Sequence, residues 1–202
     1  MTCNTVLQSD AHAFGVAASE RQRWVPIKGL WLIAALMAGC ASTPAPLPSI
    51  PPDLQQAVSA AEADGTALFE AARVELRPET ATEQEARTQS GGPCAFAYRA
   101  VTVGIAEPVT YLLGQPRAAG EIVMGKHFKL KDGNASPSTK ACLSYPPLPD
   151  NAVGLVITHL LSPAPNEFHV YISLNTGERV YVGTSAGNWL VDRGKISFLG
   201  AR

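Results

Sequence analysis

From Cys94 onward the chain consists of short runs rich in β-branched and aromatic residues, and turn residues separate one run from the next. Runs of this kind predict an antiparallel sheet, barrel or sandwich. The predicted strands cover residues 95–105, 108–113, 120–130, 152–161, 167–174, 179–185, 188–192 and 195–199.

Two tripeptides indicate how the C-terminal strands connect. Asn175-Thr176-Gly177 and Asp192-Arg193-Gly194 each place a glycine where a short hairpin loop needs a positive φ. The last four predicted strands should therefore form a β-meander. Residues 152–161 are apolar at successive positions, which predicts a central strand, whereas residues 167–174 alternate and predict a strand covered on one face.

The β region covers residues 94–202. The segment before it predicts one amphipathic helix at about 54–75. Apolar or small residues recur there at spacings of three and four, and Asp53 and Gln56 resemble a capping pair. Gly65 costs this helix about 1 kcal/mol relative to alanine, so we expect a break near it. Residues 77–93 predict a polar loop. The fold class is α+β: an N-terminal helix packed on a mostly antiparallel sheet, barrel or sandwich, in one globular domain over residues 53–202.

The leader has the layout of an export signal. Arg21, Arg23 and Lys28 precede an uncharged stretch that is too short for a spanning helix, which needs about 20 apolar residues. Residues 1–24 exceed what such a signal needs, so we expect translation to begin near Val25.

The run Leu36-Met37-Ala38-Gly39-Cys40 resembles the lipobox of bacterial lipoproteins, and the resemblance covers this signal alone. It implies cleavage between Gly39 and Cys40, removal of residues 1–39, and attachment of lipid, including fatty acids such as palmitate, to the Cys40 thiol. Met37 departs from the commoner leucine. Ala41 implies transfer to the outer membrane, with the folded part facing the periplasm; the inner membrane is the alternative.

Residues 40–52 are rich in proline and carry no charge, which predicts an extended tether between the lipid and the domain. The whole chain carries 16 basic and 17 acidic residues, and this balance does not provide the basic surface that a nucleic-acid partner requires.

Cys94 and Cys142 should form a disulfide, because an exported chain meets an oxidising compartment. A loop of that length stabilises a fold by ~4 kcal/mol on the chain-entropy model. The alternative is a catalytic thiol that acts with His127 or His159. Lys126, Lys129, Lys131 and Lys140, with Arg117, are candidates for a basic patch that binds an anionic glycan or headgroup.

The histidines at 127, 159 and 169 lack the spacing of a zinc motif, and strand parity separates them, so we expect neither metal nor cofactor. The leading hypothesis is a non-enzymatic binding or structural module for a protein, glycan or lipid. The alternative is a periplasmic hydrolase that uses His127 or His169 with a carboxylate such as Glu121 or Glu167.

Overall fold

The computed structural model describes residues 46–91 and 94–201. The predicted export signal, the lipobox with Cys40 and the beginning of the tether lie outside these residues. In the described part the chain has three α-helices and eleven strands, and the sheets are mostly antiparallel. The predicted α+β class is confirmed. None of the described sheets closes into a barrel.

The first helix, α1, spans Gln55–Val74 and follows a 3₁₀ turn at Pro52–Leu54. No side chain caps its start, so the capping pair predicted for Asp53 is absent. Its buried residues are Val58, Ala61, Gly65 and Leu68, which lie on one helical face. The expected break at Gly65 was wrong, because the helix continues through this residue.

The polar loop predicted at 77–93 was wrong, because most of this segment is regular. Arg77–Pro78 forms a short strand, β1, and Ala81–Gln89 forms a helix, α2. The Glu83 N–H donates to the Thr80 hydroxyl at 3.3 Å, and the Thr80 N–H donates to the Glu83 carboxylate at 2.8 Å. This capping box is the sequence signal for α2, and the polar composition of the segment concealed it.

A five-stranded antiparallel sheet has the order β1-β2-β3-β5-β6, with β2 at Tyr98–Val103, β3 at Val109–Gly114, β5 at Phe128–Lys131 and β6 at Asn134–Pro137. The strand predicted at 120–130 is divided. Its first part, β4 (Ile122–Val123), pairs with β7 (Ser144–Tyr145). Lys126 then has a φ of 55°, which takes the chain out of the extended conformation before β5 begins.

The four-stranded sheet has the order β11-β10-β9-β8, with β8 at Leu155–Thr158, β9 at Val180–Gly183, β10 at Asn188–Asp192 and β11 at Lys195–Gly200. Strands β9, β10 and β11 form an antiparallel meander, and Arg193 and Gly194 make its last turn with φ of 47° and 81°. Strand β8 pairs with β9 in parallel. The meander therefore has three strands rather than four.

Residues 167–174, predicted as a strand, belong to a helix, α3 (Glu167–Thr176), so that prediction was wrong. The Phe168 N–H donates to the Asn166 side chain at 3.2 Å, and Gly177, with a φ of 75°, ends the helix instead of forming a hairpin loop. Residues 168–173 are all buried. A helix that is covered on every side has no polar stripe, so helical periodicity could not reveal it.

The main core joins α1, α3 and one face of the four-stranded sheet. Helix α1 packs chiefly against α3 and makes fewer contacts with β2 and β11. A smaller core, which includes Phe96, Tyr98 and Phe128, lies under the five-stranded sheet, and α2 contacts β5 and β6. The described residues form one compact unit.

Candidate binding surface

The four-stranded sheet has two faces of different exposure. On the inner face, Leu155, Val180 and Trp189 are buried in the core with α1 and α3. On the outer face, Tyr181 lies in register with Val156 on one side and with Leu190 on the other. Val156 is 65% exposed, and Tyr181 and Leu190 are half-buried. The outer face is therefore an apolar surface that is open to solvent.

The strand predicted at 152–161 is the source of this exposure. Strand β8 lies at the edge of its sheet, so the prediction of a central strand was wrong. The apolar side chains around β8 that face away from the core are exposed: Val153 by 75%, Leu160 by 73% and Leu161 by 45%. The chain is apolar on both faces here, as its sequence indicates, but only one face is covered.

We define the outer-face patch as Val156, Leu160, Leu161, Tyr181 and Leu199. A cavity of about 350 Å³ is lined by Val156, Tyr181 and Leu199, and a second cavity of about 150 Å³ is lined by Leu160 and Leu161. Thr158 lines both cavities, so the two parts of the patch adjoin each other. Lys140 lines the second cavity together with these two leucines.

The backbone of β8 is satisfied on one side and partly covered on the other. The N–H groups of Leu155 and His159 donate to Arg179 and Gly183, each at 2.8 Å, toward β9. On the opposite side, the Tyr145 hydroxyl donates to the Val156 carbonyl at 2.9 Å. Because this hydroxyl occupies the outer edge, addition of another strand there would have to displace it.

His127 was a candidate general base, and the structure buries it completely. Its Nδ1 accepts from the Gly114 N–H at 3.1 Å, and its Nε2 lies 3.1 Å from the Val123 carbonyl and donates to it. Burial lowers the pKa of His127 to about 4, and the hydrogen bond to Val123 opposes this shift only in part. Both ring nitrogens are engaged by backbone groups, so neither is free to accept a proton from a substrate.

His159 and His169 lie together, with ring centroids 4.8 Å apart. The Asn166 N–H donates to Nδ1 of His169 at 3.1 Å. Burial, and then the neighbouring His159, lower the pKa of His169 to about 3; burial also lowers the pKa of His159. Strand parity predicted that His159 and His169 would lie apart. That prediction was wrong, because residues 167–176 form a helix that places His169 beside His159.

His159 also forms a hydrogen bond with Ser162, between Nε2 and Oγ at 2.9 Å. The Ser162 hydroxyl donates its only proton to the Ala164 carbonyl, so Nε2 of His159 must be the donor. Nδ1 of His159 is buried and has no hydrogen-bond partner among the described residues. The pair therefore differs from a nucleophile and its base, in which the imidazole accepts the hydroxyl proton.

The two candidate carboxylates pair with cations rather than with histidines. The Arg117 side chain contacts Glu121 at 2.6 Å, and this hydrogen bond is the main reason that the pKa of Glu121 is lowered to about 2. Glu167 contacts Lys129 at 2.9 Å. His127 and Glu121 line one cavity of about 220 Å³. Among the described residues, however, no hydrogen bond or ion pair joins His127 or His169 to a carboxylate.

Cys94 and Cys142 form a disulfide, as predicted from the export signal. Neither cysteine therefore carries a thiol that could act with His127 or His159.

The residues of the candidate basic patch do not form one exposed cluster. Lys129 pairs with Glu167, Lys131 pairs with Glu107 at 4.0 Å, and Lys126 is buried.

Comparison with known proteins supplies no family for this chain: no protein-family model, curated protein or solved structure matches it. In residues 46–91 and 94–201, no helix is long and apolar enough to cross a membrane. The same residues contain no group of three or more histidine, cysteine, aspartate or glutamate side chains that could hold a metal ion. The outer-face patch was not predicted, although the two-sided apolarity of residues 152–161 is its sequence signal.

Proposed function

We propose that the protein is an envelope lipoprotein, held by lipid on Cys40 at the periplasmic side of the outer membrane, whose folded part is a non-enzymatic binding module. The lipobox-type run from Leu36 to Cys40 and the proline-rich segment after it support the anchor. The exposed outer-face patch is the observation that supports binding, because folded proteins seldom leave a continuous apolar surface open without a partner.

The environment of the histidines favours binding over hydrolysis. A general base needs a pKa near the working pH and a free ring nitrogen within reach of the substrate. Burial lowers the pKa values of His127 and His169 to about 4 and about 3, and Glu121 and Glu167 are held by Arg117 and Lys129.

The anchor is tested by comparing Cys40→Ser with the wild-type chain in membrane fractionation and in mass spectrometry of the processed N-terminus. We expect lipid on Cys40 in the wild type and release of Cys40→Ser from the membrane, with the Cys94–Cys142 disulfide retained. Cys3→Ser is the matched control and should behave as the wild type, because residues 1–39 are removed. Membrane association of Cys40→Ser that persists in high salt would contradict the anchor.

The binding role is tested by photo-crosslinking from Tyr181 in intact cells, with a probe at Glu178, which is likewise half-buried, as the control. Adducts that depend on the probe at Tyr181 support a binding module. Turnover of an ester or amide by the purified protein, lost in a folded His127→Gln or His169→Gln variant, would instead establish the hydrolase.

A further inference from the structure

We propose that the outer-face patch is a membrane-contact surface that enters the headgroup region of the bilayer to which Cys40 is attached. This inference rests on the proposed anchor and names the partner of the binding module as a lipid surface. Three features carry it: the chemistry of the patch, the placement of charge around it, and the length of the tether.

The most exposed side chains of the patch are aliphatic. Leu160 is 73% exposed, Val156 65% and Leu161 45%. Protein interfaces are held mainly by tryptophan, tyrosine and arginine anchors that fill pockets, and the patch contains only the half-buried Tyr181 of that group. Protruding leucine and valine side chains beside a tyrosine are the composition that suits the boundary between acyl chains and headgroups.

Charge is arranged to favour the same orientation. Lys140 is exposed, lines the cavity beside Leu160 and Leu161, and forms no ion pair with any described residue. Its ammonium group is therefore available to a lipid phosphate. Helix α1 packs against α3 on the inner side of the sheet, so Glu70 on α1 lies on the other side of the sheet from the patch. Helix α1 carries three acidic residues and one basic residue, and Glu70 pairs with Arg73 at 3.9 Å, so anionic headgroups would attract Lys140 and only weakly repel α1.

The tether limits how far the domain can move from the membrane. Pro52, the first residue of the 3₁₀ turn, is twelve positions after Cys40, and twelve residues span at most ~43 Å when fully extended. A compact domain of this size has a diameter of about 38 Å. Because the tether is about one domain diameter long, the anchor keeps the patch at high effective concentration near the bilayer, and a weak contact becomes populated.

The edge of β8 favours a flat contact over addition of a partner strand. The Tyr145 hydroxyl already binds the Val156 carbonyl on the outer edge of this strand. A strand from another protein would have to break this hydrogen bond, whereas lipid that covers the face of the sheet leaves it in place.

The test uses tryptophan as a depth probe in the full-length, lipidated protein. Trp24 and Trp31 precede Cys40, so Trp189, which is fully buried, is the remaining tryptophan after processing. Leu160→Trp and Val156→Trp add a probe to the patch, and Glu70→Trp adds one to the exposed side of α1. Each protein is reconstituted into phosphatidylcholine and phosphatidylglycerol vesicles with brominated acyl chains.

We expect Leu160→Trp and Val156→Trp to lose about half of the added fluorescence to the bromine quencher and to shift their emission to the blue, because interfacial side chains lie about 5–10 Å into the bilayer boundary. Glu70→Trp should retain its fluorescence and emission wavelength. Leu160→Trp and Val156→Trp probe the same patch independently, so the test can still be made if one of the two variants does not fold.

Mass spectrometry of the same samples separates the two proposals. Equal quenching in all variants, with lipid present on Cys40, would overturn the membrane contact and leave the anchor intact. Absence of lipid on Cys40 would overturn the anchor, and with it the contact. Quenching that disappears when a cell extract supplies a protein that crosslinks to Leu160 would assign the patch to a protein partner instead.

Discussion

Gly65 of α1 lies directly against Val170 of α3: a Cβ atom at Gly65 would lie 2.5 Å from the Cβ of Val170. The Cβ atom added at Gly65 would also lie 2.6 Å from the carbonyl oxygen of Glu167. Gly65, where we expected a break in the helix, therefore allows α1 and α3 to pack closely.

Gly65→Ala should destabilise the protein by up to about 2 kcal/mol. Overpacking costs about 1–3 kcal/mol, and the better helix propensity of alanine returns about 1 kcal/mol of it. Thermal unfolding measures the effect. Ser59→Ala, at an exposed position of α1, is the matched control and should stabilise the protein slightly, by less than about 0.7 kcal/mol, through helix propensity alone. An increase in melting temperature for Gly65→Ala would show that the helices are not in close contact.

Glu79→Gln should destabilise the protein by about 2–4 kcal/mol, because it leaves the buried Arg87 without its anionic partner. The Arg87 guanidinium bonds Glu79 at 2.8 Å and 3.0 Å, and it lies 4.3 Å from the centre of the Tyr98 ring. Only 6% of the Arg87 side chain is exposed. Urea unfolding provides the measurement.

The matched control for this ion pair is Glu70→Gln, which removes the exposed pair with Arg73 at 3.9 Å. We expect a loss of less than about 1 kcal/mol there. If Glu79→Gln and Glu70→Gln lowered the free energy of unfolding by the same amount, the burial of Arg87 would not increase the effect of losing its partner.

Stability should decrease as the pH falls from about 6.5 to about 4.5. The buried histidines stay neutral in the folded state, where the pKa of His127 is about 4 and that of His169 about 3, whereas both titrate near 6.5 when unfolded. The unfolded chain therefore binds more protons over this range, and each histidine removes roughly 1.4 kcal/mol per pH unit. The contribution of neutral histidine is fully present above about 6.5.

Urea unfolding between pH 7 and pH 4.5 tests this dependence. Glu83 and Glu121, whose pKa values are lowered to about 2, affect stability mainly below their ordinary value of 4.5. A folded His127→Gln variant should have a shallower slope than the wild type. A wild-type free energy of unfolding that is constant over this range would contradict the burial of neutral imidazoles.

Some features of the fold are predictable because they depend on neighbouring residues. Asp192-Arg193-Gly194 favours a tight turn by its own backbone preferences, and it makes the turn between β10 and β11. The capping box of Thr80 and Glu83 is equally local and is a sequence signal for α2, although the polar composition of residues 77–93 led to the prediction of a loop there. The disulfide followed from the export signal and from the presence of two further cysteines.

Other features depend on contacts between distant segments. Residues 167–174 alternate as a strand would, yet they form α3 because α1 and the four-stranded sheet enclose them on all sides. The approach of His159 to His169 depends on that helix, and it reverses the separation that strand parity predicts. The sequence around His159 and the sequence around His169 each lack any local pattern that would indicate this contact.

By itself, the sequence determined that a helix lies near residues 54–75 and that a β-rich region follows it, since both depend on local composition. The run that resembles a lipobox and the tether after it stay predictions. The tertiary structure alone decided which face of β8 is covered. The run from Val153 to Leu161 is apolar on both sides, and only the packing of α1 and α3 against one side leaves Val156 and Leu160 exposed on the other. Burial depends on what lies opposite a side chain, and the residues opposite are distant in the chain.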